Sequence, residues 1–358
     1  MESPLRGVHP TPVTYQYVGE SDVAWRFAGP EVEYAALRQN AAVVDLSASR
    51  LIELRGDTAD FLQRVLARDV EYLTPERCMT SLVLAEDGSP VDVVVVYGRE
   101  TGALLESSFG QGGRLLAHLR SLAGDEVEVV DVSDELTTVG FEGPYSWGVV
   151  GRLLEGELAA LPFESVLDTS WRGQGVLFAR TGVSAEYGYR VIAPHDVARE
   201  LWTAALEIAV PVGLEVLETS MIEVRQPLFH REAGGDAGVT TLGFNWLVDS
   251  TKEEFVGRTA LLEEFAAGVP QRTIGFAGAG ALPAPGSALV LGDREVGTVV
   301  HAVHSHGRGE ALGLARVDED LAAAGVPLVV HGTDGVRTEV LTLTSPYVIP
   351  QSWSIPIV

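Results

Sequence analysis

One acidic side chain, Asp92, stands where a tight turn leads into an apolar strand. Gly88, Ser89 and Pro90 mark the turn, and the four valines at 93–96 predict a strand buried on both faces. A carboxylate is poorly solvated there, so its pKa should rise by about a unit or more unless a partner stabilises the charge. Such a group can hold or take a proton near neutral pH, which makes Asp92 a candidate general base. The alternative is that Asp92 only hydrogen-bonds the backbone of the turn.

A second group of candidates lies where a polar loop is predicted to lead into a strand. Glu186 and Arg190 flank Gly188 and Tyr189 in this segment. A carboxylate beside an aromatic ring suits a flat heterocycle with N–H groups, because the ring can stack while the carboxylate accepts two hydrogen bonds. The alternative is the tip of a hairpin with solvated charges.

Three further side chains are candidates for substrate binding. Glu223 and Arg225 are two residues apart, so they would share one face of a strand, and Tyr97 ends the valine-rich strand that Asp92 begins. A surface ion pair is the simpler alternative for Glu223 and Arg225.

The alternation of strands and helices predicts an α+β fold with a β-rich end. Residues 49–132 form one small α+β unit around Asp92, and residues 242–248 are strand-like. After residue 271, short apolar runs are separated by Gly, Pro and Asp, which predicts a small all-β barrel or sandwich. Further strands are predicted at 43–46, 51–55, 81–84, 91–97, 103–106, 127–131, 175–180 and 189–193, and helices at 31–38, 114–122, 197–209 and 257–265.

Composition narrows the classes of partner. The chain has 358 residues, enough for two or three domains, and a formal net charge of −25 that disfavours nucleic acid and anionic membranes.

Cys78 is the only cysteine, which excludes an internal disulfide and a cysteine-based zinc site. His301, His304 and His306 favour a solvated turn over a metal site, so we expect no metal. Without a signal peptide or an apolar stretch of spanning length, a cytoplasmic location is expected; the oligomeric state stays open.

Six short motifs, in the same order along the chain, resemble the aminomethyltransferase family. This family comprises the glycine-cleavage T-protein and its folate-dependent demethylase relatives. The segment from Leu84 to Val94 resembles the family's Leu-x-x-x-Gly-Gly-x-x-Asp-Asp-Leu, in which the first acid corresponds to Asp92. The other five matching segments are 44–47, 143–144, 180–189, 242–246 and 255–258.

The resemblance implies three domains arranged as a clover leaf around a central folate site. It divides the chain into domain 1 (1–48 and 133–231), domain 2 (49–132 and 232–270) and a β-barrel domain 3 (271–358). It implies that Asp92 activates the folate nitrogen or the substrate amine. Glu186, Tyr189 and Arg190 would line the pocket with tetrahydrofolate, and Ser107 would lie where relatives have a folate-facing Asn.

The departures from the family pattern are equally specific. Val93 stands at the second acid, Leu217 and Met221 replace two arginines, and Arg190 replaces a glutamate that helps to hold the folate in glycine-cleavage members. We therefore expect a tetrahydrofolate-dependent one-carbon transferase that takes a methyl group from a small methoxy or methylamino compound. The alternatives are an aminomethyltransferase of glycine-cleavage type and a folate-free paralogue that acts as a binding or assembly factor.

Overall fold

The computed structural model describes residues 1–156, 158, 161–235, 237–332 and 335–357. The strands are β1 Thr14–Val18, β2 Ser21–Arg26, β3 Ala42–Asp45, β4 Leu51–Gly56, β5 Cys78–Leu84, β6 Pro90–Gly98, β7 Ala103–Glu106, β8 Val127–Asp131, β9 Leu136–Glu142, β10 Val166–Trp171, β11 Gln174–Ala179, β12 Gly188–Pro194, β13 Val210–Val212, β14 Gln271–Gly278, β15 Ala288–Leu291, β16 Arg294–Ser305, β17 Glu310–Asp318, β18 Pro327–His331 and β19 Arg337–Leu343. The helices are α1 Pro30–Gln39, α2 Ala59–Val65, α3 Gly112–Leu122, α4 Ser146–Leu153, α5 His195–Ala205, α6 Leu214–Val224, α7 Phe229–Glu232, α8 Val239–Leu242 and α9 Arg258–Ala267.

The valine-rich strand belongs to a five-stranded antiparallel sheet with the strand order β5-β6-β7-β4-β8. Strands β5 and β6 pair as a hairpin, in agreement with the turn predicted between the strands at 81–84 and 91–97. Helices α2 and α3 cover one face, because their apolar residues Phe61, Leu115 and Leu119 pack on Val94 and Val96. The other face of β6 turns toward a second sheet, since successive side chains of a strand point to opposite faces.

The second sheet has six strands in the order β10-β11-β12-β9-β3-β13. Pairing is antiparallel except between β3 and β13, which are parallel. Helices α4 and α5 pack on one face, and α1 and α6 pack on the other. This places β12 and α6 beside the first sheet, where both contribute to the central cavity.

The C-terminal part is a closed six-stranded barrel with the strand order β14-β17-β16-β15-β18-β19. Its interior is filled by apolar side chains such as Phe276, Leu289 and Val317. Leu312 and Leu314 on β17 face the other way and join the cluster that includes Leu217 of α6, which attaches the barrel to the six-stranded sheet. The predicted α+β class with a small C-terminal barrel is confirmed, whereas the exact domain boundaries given above remain a prediction.

One predicted strand, 242–248, is wrong. Helix α8 ends at Leu242, Gly243 has a φ of +74°, and Asn245–Leu247 form a turn of 3-10 helix. The apolar side chains of this run, including Phe244 and Leu247, are buried in one cluster with Phe229. A short apolar run fits a buried strand or a buried helical turn equally well, so its pattern does not decide between them.

Across the described ranges, every helix is too short or too polar to cross a membrane.

Candidate active site

A cavity with an empty volume of about 610 Å³ lies between the two sheets. Aromatic and aliphatic side chains share the wall with hydroxyl groups and three side chains that can be charged. The lining residues are Ser49, Thr80, Val93, Val95, Glu106, Ser107, Ser108, Phe109, Thr181, Gly182, Val183, Arg190, Met221, Gln226, Pro227, Phe229 and His230.

Asp92 lies behind this wall rather than in it, which corrects the expectation that its carboxylate faces the cavity. Strand β6 alternates, so Asp92 points to the same side as Val94, while Val93 lines the cavity. The carboxylate is fully buried and accepts hydrogen bonds from the backbone N–H of Val93 at 2.8 Å and of Ser108 at 3.2 Å. The hydroxyl of Ser108 also donates to Asp92.

The alternative that Asp92 hydrogen-bonds backbone groups is therefore correct in part, and it does not exclude proton chemistry. Burial raises the pKa of Asp92 to about 7, although the hydrogen bonds from Ser108 and Val93 partly offset the effect. Near neutral pH both the protonated and the ionised form of the carboxyl are therefore populated. Ser108 lines the cavity and donates its hydroxyl to Asp92, so this hydroxyl can relay a proton between the cavity and the buried carboxyl.

Arg190 reaches the cavity from β12 and forms a buried ion pair. Its Nη1 donates to Glu106 Oε2 at 2.7 Å and to the hydroxyl oxygen of Tyr97 at 3.2 Å. Burial disfavours the positive charge, but Glu106 and Tyr97 outweigh that effect and raise the pKa of Arg190. Within the described residues, Arg190 Nε and Glu106 Oε1 are enclosed and have no hydrogen-bond partner. One donor and one acceptor of this pair thus have no partner within the protein itself.

Ser107 also lines the cavity, at the end of β7. Its hydroxyl is already used by the backbone, since it accepts from Arg50 N–H at 2.8 Å and donates to the carbonyl of Ser108 at 3.0 Å. Ser107 therefore shapes the wall and leaves its neighbour Ser108 as the hydroxyl nearest the buried acid.

Glu186 and Tyr189 were expected in the pocket, and the structure places both elsewhere. Tyr189 points away from Arg190 on β12 and stacks on Phe178 in the core of the six-stranded sheet. Glu186 accepts hydrogen bonds from the backbone N–H and hydroxyl of Ser352, at 2.8 and 2.6 Å, and pairs with Arg38 at 3.2 Å. Its carboxylate thus fixes the C-terminal segment.

The three expected substrate-binding residues also have structural partners instead. Tyr97 is fully buried and donates its hydroxyl to Glu106, so it supports the cavity wall from behind. Glu223 ends helix α6 rather than a strand, and its buried carboxylate accepts from Tyr34, Arg38 and Ser305. The partners of Glu223 lie at 3.0 Å (Tyr34), 2.9 Å (Arg38) and 2.6 Å (Ser305).

Arg225 follows α6 in a left-handed conformation with a φ of +61°. It forms two hydrogen bonds with the carboxylate of Glu232, at 3.0 and 2.8 Å. This half-buried pair is neither a solvated surface pair nor a part of the cavity. The predicted histidine turn is correct for His306 only, because His301 and His304 lie on β16, which ends at Ser305.

Four cavity residues are not among the candidates predicted from the sequence. Phe109 and Phe229 supply aromatic surface, while Glu106 and His230 supply polar groups. Glu106 ends a buried apolar strand, as an acid at an unusual position, and that signal could have been noticed. His230 has no pattern of its own and is brought to the cavity only by α7.

A cavity between two sheets that are covered by helices, with an attached barrel and a buried acid behind the cavity wall, is the arrangement of an enzyme that encloses a small substrate. The family model described as the GCVT N-terminal domain matches residues 8–252. An aminomethyltransferase from Rubrobacter xylanophilus is 31% identical over 82% of this chain and 80% of its own length. An aminomethyltransferase from Bacillus subtilis is 27% identical over 86% of this chain and 87% of its own length.

The structure of the glycine cleavage system aminomethyltransferase T from Bartonella henselae superposes with a TM-score of 0.90. It covers 98% of each chain at 20% sequence identity, which shows the same fold. The chain belongs to the aminomethyltransferase family, so the recognised family and its T-protein type of fold are confirmed.

This family consists of enzymes that use tetrahydrofolate, and the cavity has the chemistry to fit that cofactor. Phe109 and Phe229 offer apolar ring surfaces for a flat heterocycle, as aromatic side chains do in many small-molecule sites. Arg190 Nε and Glu106 Oε1 offer the donor and acceptor that such a ring requires at its edge.

Proposed function

We propose that this chain is a tetrahydrofolate-dependent one-carbon transferase and that the cavity between β6, β7 and β12 is its active site. The observation on which this depends is the contact of Ser108 with the buried Asp92, whose pKa is about 7. A catalytic acid–base group works best when its pKa is close to the working pH. The cofactor, when bound, supplies a nitrogen that accepts the one-carbon unit.

The residues of the wall would divide the remaining work. Ser108 passes the proton of the accepting nitrogen to Asp92, which holds it away from bulk water. Arg190 and Glu106 orient the bound ring through the donor and acceptor that they leave unpaired. Phe109 and Phe229 exclude water, which strengthens the electrostatic interactions within the cavity.

Aminomethyl transfer of the glycine-cleavage type is the first candidate reaction. Relatives with the name aminomethyltransferase match this chain over more than four fifths of its length. The donor would then be an aminomethyl group attached to a thiol.

Demethylation of a small methylamino or methoxy compound is the second candidate. Arg190 supports it, because a cation stands where glycine-cleavage members of the family have a glutamate, and it lies at the wall of the cavity. A buried cation with an unpaired Nε suits a small donor that has a carboxylate or another acceptor group. The small-molecule donor and the cytoplasmic location both remain predictions.

One assay separates these reactions. Purified protein is incubated with tetrahydrofolate and, in separate tubes, an aminomethylated lipoyl protein, N-methylglycine or a methoxybenzoate, and the folate products are identified by mass spectrometry. Methylenetetrahydrofolate from the first tube supports aminomethyl transfer, and a folate product from the second or third supports demethylation.

The Asp92→Asn protein is the control, because it should keep the fold and lose turnover. Absence of a folate product from all three donors, with no calorimetric binding of tetrahydrofolate, would leave a folate-free binding protein as the better account.

A further inference from the structure

His230 and Glu218 form a buried pair at the wall of the cavity, on elements far from Asp92 in the sequence. His230 on α7 lines the cavity, and only 4% of its side chain is exposed. Its Nε2 lies 2.6 Å from Glu218 Oε1 on α6, and the Glu218 side chain is 1% exposed. The edge of the ring meets Phe109, with 6.1 Å between the ring centroids.

Glu218 is a carboxylate at every ordinary pH. Burial by itself would raise its pKa, but the contacts with His230 and His301 and the charge of Arg231 lower the pKa of Glu218 to about 2. Arg231 reaches both carboxylate oxygens at 3.2 to 3.3 Å, and His301 Nε2 lies at 3.5 Å, which is an ion-pair distance. An acceptor this firmly ionised keeps a proton on Nε2 of His230.

The hydrogen bond to Glu218 determines which ring nitrogen is available. With Nε2–H donated to a carboxylate, the neutral imidazole has its lone pair on Nδ1. Within the described part of the chain, Nδ1 of His230 makes no hydrogen bond. A purely structural role would leave this arrangement redundant, because Arg231 already joins α7 to Glu218.

We propose that His230 is a second catalytic acid–base group of this site and that Glu218 is its positioning residue. The proposal depends on the proposed one-carbon transfer. As the bond from the accepting nitrogen to carbon forms, the bond from carbon to the leaving nitrogen, sulfur or oxygen breaks, and that heteroatom keeps the electron pair. His230 enters this step as the imidazolium, with a proton on each ring nitrogen; it gives the Nδ1 proton to the heteroatom and retains Nε2–H on Glu218.

The protons balance across the two groups. The accepting nitrogen loses one proton to Ser108 and Asp92, and the leaving heteroatom gains one from His230. Exchange with water afterwards returns Asp92 and His230 to their starting states. The donor and the accepting amine are the only reactants that the step requires.

The test uses His230→Gln, because the amide of glutamine can still donate to Glu218 but cannot deliver a proton. We expect kcat to fall about 100-fold, the lower end for loss of an acid–base group, while KM for tetrahydrofolate changes less than threefold. His118→Gln is the matched control. Its Nε2 also bonds a protein oxygen, Leu84 O at 3.0 Å, but it lies outside the cavity lining, so its kcat should stay near that of the wild type.

A second measurement needs no turnover. In nitrogen-15 NMR of the ligand-free protein, the neutral His230 ring should be protonated at Nε2 alone, and Glu218→Gln should mix the two tautomers. A wild-type kcat in folded His230→Gln would overturn the proposal, as would a neutral ring protonated at Nδ1 instead of Nε2.

The two proposals fail in different ways. If wild-type protein transfers no one-carbon unit from any of the three donors, the proposed function is wrong and the acid–base role of His230 falls with it. If the wild type is active and the variant is equally active, only the role of His230 is wrong.

Discussion

Replacing Asp92 with asparagine should change how the stability of the protein depends on pH. The pKa of Asp92 is raised from 3.8 to about 7 in the folded state, because the carboxyl is fully buried. A group whose folded pKa is raised stabilises the fold below its unfolded pKa, and this contribution is lost as pH rises through the folded value. A shift of about 3 units corresponds to roughly 4 kcal/mol at 1.36 kcal/mol per unit, and roughly 2–3 kcal/mol of it falls between pH 5 and pH 8.

The assay is urea unfolding of the wild type and Asp92→Asn at pH 5 and at pH 8. Asparagine is isosteric, and its Oδ1 can still accept the N–H of Val93 and the hydroxyl of Ser108, so the folds should match. Its Nδ2 cannot accept the N–H of Ser108, and the cost of that lost bond is present at both pH values. The free energy of unfolding of the variant, relative to the wild type, should be higher at pH 8 than at pH 5 by roughly 2–3 kcal/mol. Asp125→Asn, at an exposed position, controls for the general effect of removing one charge. Equal pH dependence in the wild type and Asp92→Asn would refute the conclusion that the acid titrates near neutral pH.

Three further predictions concern stability and use the same unfolding assay. Arg190→Met should destabilise the fold by about 3–5 kcal/mol, because it leaves Glu106 buried without its cation. The double variant Arg190→Met with Glu106→Leu should regain most of this stability. An equal loss in the single and the double variant would count against a coupled pair. Glu223→Gln, which weakens the buried pair with Arg38, should cost about 3 kcal/mol. Glu215→Gln, in the partly exposed pair with Arg26, should cost about 1 kcal/mol or less. Similar costs for both variants would contradict an effect of burial. Gly19→Ala should cost about 1 kcal/mol or more, because a Cβ would lie 2.3 Å from the carbonyl oxygen of Gly110 and the φ of Gly19 is +56°. An unchanged midpoint of urea unfolding would show that this turn relaxes.

The burial of Asp92 could be predicted from local pattern, but the direction of its side chain could not. A run of valines after a turn indicates a strand that is buried on both faces, and β6 is such a strand. When both faces are apolar, the alternation of the strand does not show which face meets the cavity. That choice is decided by the pairing of β6 with β5 and β7 and by the helices packed on one side of the sheet.

The alternation of side chains along β12 also explains why only one of two adjacent candidate residues lines the cavity. Tyr189 and Arg190 are neighbours on β12, so their side chains must point to opposite faces. Only Arg190 reaches the cavity, and its partner Glu106 is 84 residues away in the sequence. The pairing of His230 with Glu218 depends on the packing of α7 against α6, for which the sequence has no periodic signal.

The most direct test of the account is a crystal structure of the protein grown with saturating tetrahydrofolate. We predict that the folate ring lies in the cavity between Phe109 and Phe229, with its polar edge bonded to Arg190 Nε and Glu106 Oε1 and a ring nitrogen facing Ser108. Folate density at another surface, or an empty cavity at a concentration that saturates binding in solution, would contradict it.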